Sequence, residues 1–251
     1  METADPSDDV TEQIATRDRA HPTPCVSAAS TTQGQRRSNE DSWGTNHHRF
    51  VVADGVAHGL GGDFASAQAV AGFLSIRIDS DGWETALRRL DRLVALRATA
   101  HGLPRAATTI VGVEVAQGSV TVAHAGDSRA YLMRADQLQC LTADHSLATL
   151  RREQGRDPED LADGLGKPRA LTGYLGTEVP LKAGSESSFT AMPGDRLLLC
   201  TDGVHEQLSF AEIQDHMRLA HRQAVVDSLT AAADAAGGRD NSTALLIEIG
   251  A

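Results

Sequence analysis

Short apolar runs, most of them closed by an acid or a glycine, set the element plan of this chain. Phe50-Val51-Val52-Ala53 and Leu197-Leu198-Leu199-Cys200 are too short for helices and suit a buried pleated surface, so they predict strands over His48–Ala53 and Arg196–Thr201. The same reading places strands at Pro24–Thr31, Thr108–Val115, Ser119–Ala125, Arg129–Arg134 and Ser187–Thr190, with a last one from Thr243 to Ile249. Gln117-Gly118, Asp136-Gln137 and Pro193-Gly194-Asp195 read as turns between neighbours. Phe64, Ala67, Val70, Ala71 and Leu74 recur at helical steps and predict a helix from about Asp63. Leu87, Leu90, Val94 and Leu96 predict a second over Trp83–Thr99, and shorter helices are expected at Ser146–Gln154, Ser209–His216 and Arg222–Ala236. Strands, two helices, strands, two helices, strand is an α+β order, so antiparallel sheets with helices outside are expected.

Four aspartates far apart in sequence sit where such runs begin or end: Asp54, Asp127, Asp202 and Asp240. If their strands share one sandwich, the acids meet at one rim. Several carboxylates in one place repel one another unless hard cations neutralise them, and oxygen ligands suit Mg²⁺ or Mn²⁺. A metal-dependent active site is therefore expected. Taken singly, Asp54-Gly55 and Asp202-Gly203 read equally well as hairpin turns, since Asp-Gly is a strong hairpin signal.

Composition narrows the classes. With 251 residues, 41 % of them hydrophobic and only 4 % aromatic, the chain can bury a large core built mostly of Ala, Val and Leu. A formal charge of −11 argues against a general nucleic-acid binder, which needs clustered Lys and Arg. Cys25, Cys140 and Cys200 never form a CxxC spacing, so a reducing, cytoplasmic setting is expected rather than a disulfide framework or zinc site. Neither a membrane span nor a secretory signal is read in the sequence. Residues 1–22 are expected to be a disordered acidic tail: six acids and two bases fall in the first twenty residues, with little to bury.

Six ordered strings carry a family resemblance: Arg36-Arg37-Ser38-Asn39-Glu40-Asp41, Val52-Ala53-Asp54-Gly55, Gly126-Asp127-Ser128-Arg129, Leu141–Ser146, Gly194–Gly203 and Gly238–Thr243. From about Val26 to Ile249 the chain resembles the metal-dependent Ser/Thr protein phosphatases, the protein phosphatase 2C-like family, in its bacterial form. The resemblance implies a single domain over 23–251, a four-layer α-β-β-α sandwich of two antiparallel sheets flanked by helices, and a variable flap at about 147–182. It implies hydrolysis of phosphoserine and phosphothreonine by direct attack of a metal-bridging hydroxide. Asp54 would bridge two Mg²⁺ or Mn²⁺ ions, the Gly55 carbonyl would bind the first, and Asp202 and Asp240 the second. Asp127 would help hold a third, weaker ion. Glu40 and Asp41 would act mostly through metal-bound water, and Arg36 would grip the substrate phosphate, as its planar fork suits. Phosphorylated proteins that a Ser/Thr kinase has modified are the implied substrates, and a monomer is expected.

The match departs at Val56-Ala57-His58-Gly59, where relatives carry Met-Gly-Gly-His, so His58 comes one residue early. His58 is a candidate general acid or water ligand, with a neutral pocket histidine the alternative. For His145 a structural hydrogen bond is preferred over catalysis. Asp157, Glu159, Asp160 and Asp163 in the flap read as solvated charges, although one could assist the third ion. The altered string also keeps open a catalytically silent member that binds phosphoproteins as a signalling scaffold. A related enzyme for small phosphoesters, or a partner-switching phosphatase with one target, is a further alternative.

Overall fold

The computed structural model describes residues 23–57, 60–78, 80–161, 164, 166–176 and 185–250. Among these the elements run β1 (Cys25–Thr32), β2 (Ser42–Thr45), β3 (Arg49–Ala53), β4 (Gly55–Ala57), α1 (Gly62–Ser75), α2 (Gly82–Ala100), β5 (Ala106–Thr108), β6 (Ile110–Ala116), β7 (Ser119–Ala125), β8 (Arg129–Arg134) and β9 (Gln137–Cys140). They continue with α3 (Leu147–Glu153), β10 (Ser185–Thr190), β11 (Arg196–Cys200), α4 (Asp202–His205), α5 (Phe210–Met217), α6 (Arg222–Ala235) and β12 (Ser242–Ile249).

Two five-stranded antiparallel sheets carry the architecture, one ordered β1-β12-β11-β8-β9 and the other β10-β7-β6-β3-β2; β4 and β5 form a small separate pair. Three apolar layers follow. Between the sheets lie Phe50, Val52, Val111, Leu199, Leu245 and their neighbours. Outside one sheet, α1 and α2 bury Phe73, Leu87 and Leu90, with Phe73 stacked on Trp83. Outside the other, α5 and α6 bury Ile213, Met217 and Leu229 against Leu198 and Leu246. Alternate residues of one strand feed different layers, as the two-residue period requires: Leu197 and Leu199 face the other sheet while Leu198 faces the helices. The expected α-β-β-α sandwich is what forms.

Turn chemistry fixes the register. Gln117 and Gly118 both have positive φ and join β6 to β7, matching the right-handed strand twist as a primed turn does. The β8–β9 turn sits one residue earlier than expected, on Ala135 and Asp136, both at positive φ, with Arg134 paired to Gln137. Four strands escape the apolar pattern. β2, β4 and β5 span four residues or fewer, and β9 is a polar edge whose residues alternate between exposed and half-buried.

The pattern-poor stretch after Asp144 is anchored where it is described. Ser146 caps α3 by accepting from the Thr149 amide, and Leu175 is fully buried and bridges Thr108. Arg151, wholly buried, donates to the carbonyls of Pro158 and Gly166, tying the segment beyond α3 back to the helix. The expected tail at 1–22, and Asp163 of the flap, lie outside the described residues.

Candidate active site

The chain places its acids where strands leave the sandwich. β3 delivers Asp54, the β7–β8 turn delivers Asp127, β11 runs into Asp202 at the start of α4, and Asp240 precedes β12. Asp54 comes from one sheet, and Asp202 and Asp240 come from the other. All four line one cavity of about 700 Å³, together with Arg36, Glu40 and Gly55.

Main-chain bonds hold Asp54 rigidly. Its carbonyl accepts from the Thr109 amide and the Thr108 hydroxyl, each at 2.8 Å, and its own amide donates to Thr109 Oγ1 at 3.1 Å. Thr109 Oγ1 in turn meets Ser128 Oγ at 2.7 Å, linking the Asp54 strand end to the Asp127 turn. Gly55 donates to the Glu40 carbonyl, and a side chain at Gly55 would strike the Gly62 carbonyl oxygen at 2.6 Å. Gly62 likewise leaves room for the Glu40 carboxylate, so the glycines here are demanded by close approach rather than by turn geometry.

Asp41 lies behind the cavity. Its Oδ2 accepts from Thr243 Oγ1 at 2.7 Å and Thr201 Oγ1 at 2.9 Å, while Oδ1 is buried with no hydrogen-bond partner. Asn241 joins the loops above: its amide nitrogen donates to the carbonyls of Gln33 and Ser38, and its oxygen accepts from the Glu40 amide, each at 2.9 Å. Arg36, more than half exposed at the lip, donates through Nε to the Arg239 carbonyl at 3.1 Å and through Nη2 to Asp240.

Two histidines brace the Asp127 turn. His145 donates its amide to the Gly126 carbonyl at 2.9 Å, and its Nδ1 accepts from the Gly126 amide at 3.3 Å. Its ring packs against that of His124, 4.7 Å away. This agrees with the structural role expected for His145. His205 supports the turn from α4, 2.9 Å from the Asp127 carbonyl through Nε2. A carbonyl only accepts, so Nε2 carries the proton. Neither His205 nor Asn241 was given a role from the sequence, because each acts only through hydrogen bonds to partners more than seventy residues away, His205 through Nε2 and Asn241 through both ends of its side-chain amide. His58 lies outside the described residues.

Electrostatics set the site's character. Burial, then repulsion from Asp202, Asp41, Asp127 and Asp240, holds the Asp54 carboxyl well above the usual carboxylate range. Burial raises Asp127 to about 7 with help from Asp202, and raises Asp202 to about 6 with help from Asp240. Asp41 reaches about 7, mainly by burial against the opposing hydrogen bonds of Thr243 and Thr201. Burial also lifts Glu40, reinforced by Asp63. Asp202 Oδ1 is buried without a partner. Among the described residues no three His, Cys, Asp or Glu side chains stand together as a ready-made metal centre, and Asp240 is turned to Arg36. The donor set is nonetheless oxygen throughout, mutually repelling and partly orphaned. That is the chemistry a hard divalent cation relieves, so these residues fit Mg²⁺ or Mn²⁺.

Known proteins resemble this one across nearly its whole described length. The Protein phosphatase 2C family profile matches residues 71–156. The serine/threonine phosphatase stp of Listeria innocua is 30% identical over 240 residues, spanning 85% of this chain and 91% of that protein. Among solved structures, PppA of Pseudomonas aeruginosa superposes with a TM-score of 0.78 at 26% identity, covering 91% of this chain and 99% of that one. The catalytic domain of the phosphatase PstP, determined with two manganese ions, shares the fold at 23% identity, with a TM-score of 0.77 over 90% of this chain and 99% of that one.

Proposed function

The chain belongs to the protein phosphatase 2C family of metal-dependent serine/threonine phosphatases, and from that membership we propose that it hydrolyses phosphoserine and phosphothreonine in proteins. One observation supports this reading above the rest: acids from both sheets line a single cavity whose lip carries Arg36. Asp54, the Gly55 carbonyl, Asp202 and Asp240 would hold two ions, and Asp127 would help hold a third. Bound there, Mg²⁺ or Mn²⁺ would supply an activated water and positive charge against the phosphoryl oxygens.

The remaining work falls to the chain. Arg36 offers a planar fork that orients the phosphate by parallel charge-assisted hydrogen bonds. Thr108 and Thr109 fix Asp54 through its main chain, so that carboxylate has little freedom to drift as charge moves. Thr201 and Thr243 fix Asp41, which with Glu40 acts through water rather than on the phosphate directly. His58 is the proposed proton donor to the departing serine or threonine oxygen. No protein nucleophile is invoked. Cys200 is fully buried, which pushes its thiol far above the usual range.

Free Cys25, Cys140 and Cys200 suit a reducing compartment, and no helix among the described residues is long and apolar enough to cross a membrane. We therefore place the activity in the cytoplasm, acting as a monomer on proteins that a Ser/Thr kinase has modified. The test is hydrolysis of a phosphothreonine peptide and of p-nitrophenyl phosphate by the purified chain with Mn²⁺, abolished by chelator. A folded, metal-binding chain that turns over neither substrate would instead establish a silent scaffold.

A further inference from the structure

Three arginines line the cavity that holds the acids: Arg36, Arg37 and Arg169. Two are already engaged. Arg36 is paired with Asp240, and Arg169, on the flap side, is paired with Glu206. Arg37 is exposed and makes no hydrogen bond or ion pair with the described residues.

The backbone beneath Arg37 is held firmly. The carbonyl before it, that of Arg36, accepts from Gln33 Nε2 at 2.7 Å, and the carbonyl after it, that of Ser38, accepts from Asn241 Nδ2 at 2.9 Å. The Gln35 amide donates to the Gly238 carbonyl at 2.7 Å. Gly34, at φ +57, sits so near the Asp240 and Gly238 carbonyls that a Cβ would lie 2.5 Å from each. The loop backbone is thus tied to the Gly238–Asn241 segment on both sides of Arg37. A charged, uncommitted guanidinium therefore stands on a pinned stretch of backbone at the cavity, one residue from the arginine assigned to the scissile phosphate.

We infer that Arg37 is a specificity-determining residue that binds a second anionic group of the substrate, so that the favoured targets carry a negative charge within a few residues of the phosphoserine or phosphothreonine being cleaved. This rests on the phosphatase reading above and names its substrate class. A neighbouring carboxylate and a second phosphoryl group offer the same acceptor chemistry to a guanidinium, the phosphoryl group with more charge. An exposed pair is screened by solvent, which sets the effect at about three- to tenfold rather than at the level of a buried pair.

The experiment compares kcat/KM on matched phosphothreonine peptides with Mn²⁺. One has neutral flanks, one set carries Glu at successive flanking positions, and one carries a non-hydrolysable phosphonate analogue of phosphoserine. The natural chain should favour the anionic peptides over the neutral one by about three- to tenfold, and the preference should shrink as salt is raised. Arg37→Gln should bring the ratio to about one, and Arg37→Lys should keep part of it. If only the phosphonate peptide is favoured, the second group is a phosphoryl; if the Glu peptides are favoured too, a carboxylate suffices. A ratio of one in the natural chain, or a ratio that Arg37→Gln leaves intact, overturns the inference while the phosphatase reading stands. Absence of turnover on every peptide would sink both.

Discussion

The Arg36 guanidinium donates to the Asp240 carboxylate, so the cation assigned to the substrate phosphate and an acid assigned to a metal ion are each other's partner in this structure. A metal ion entering at Asp240 has to compete with Arg36. Arg36→Ala is therefore expected to raise KM for a phosphopeptide by about ten- to a hundredfold, the worth of a charge-assisted pair of hydrogen bonds, while Mn²⁺ binds as tightly as before or more so. Steady-state kinetics alongside calorimetric Mn²⁺ titration separate the two effects. Weaker Mn²⁺ binding in the variant would show that Arg36 supports the acids rather than the substrate.

Asp54→Asn and Asp202→Asn should each abolish nearly all turnover without loss of fold. Both carboxyls are held high by burial and by neighbouring acids, so neutralising either relieves repulsion in the metal-free chain. Stability without metal should rise in both, for Asp202→Asn by on the order of 1 kcal/mol or more near pH 7, since one pKa unit corresponds to about 1.4 kcal/mol. Thermal melts in chelator read this directly, and a variant less stable than the natural chain would contradict it.

The same acids predict a pH-dependent response to metal. Asp41, Asp127 and Asp202 have folded-state values near 6 to 7 against 3.8 when unperturbed, so what they contribute to stability is fully present below about 3.8 and is lost as pH rises through 6 to 7. His145 and His205 run the other way. Burial first, with His124 and Arg129 respectively, lowers each to about 4, so their contribution is present above about 6.5 and is lost as pH falls through 4. Mn²⁺ relieves only the first group. The rise in Tm on adding a fixed Mn²⁺ concentration should therefore be largest near pH 8 and smaller at pH 5.5. Equal shifts at both would remove the carboxylates from the metal site.

How much of this was legible depended on what each residue does. Asp54, Asp127, Asp202 and Asp240 stand out because apolar runs end or begin beside them; the same runs give antiparallel sheets with helices outside, and the four-layer sandwich is what the family resemblance adds. β2 and β9 do not, since Ser42-Trp43-Gly44-Thr45 and Gln137-Leu138-Gln139-Cys140 are edge strands with one partner each and too little apolar content to show a period. Nor does the Thr201–Asp41–Thr243 arrangement, whose members are up to 202 positions apart and are joined only by hydroxyl hydrogen bonds. Short polar residues with long-range partners leave no local pattern. The Arg36–Asp240 pair is of this kind also: both residues were singled out, but for separate tasks.

His205 offers a test of the Asp127 turn. Replacing it with Leu leaves the Asp127 carbonyl without its Nε2–H donor, an omission that costs about 1–3 kcal/mol when the group is buried. His205→Gln, whose amide can donate from a similar place, should recover most of the loss in a denaturant melt. If Gln is no better than Leu, packing rather than the hydrogen bond is what His205 supplies.

Asp54 rides on one sheet, Asp202 and Asp240 ride on the other, and the turn bearing Asp127 is the covalent bridge from β7 to β8 across the gap. Their spacing is therefore set by how two slabs of side chains seat against each other, through Val52, Val111, Leu199 and Leu245 deep in the interior. If the proposed site is the catalytic one, turnover becomes in effect a ruler for sheet alignment: removing a methyl group far below the surface should shift the acids of one sheet against those of the other without touching either.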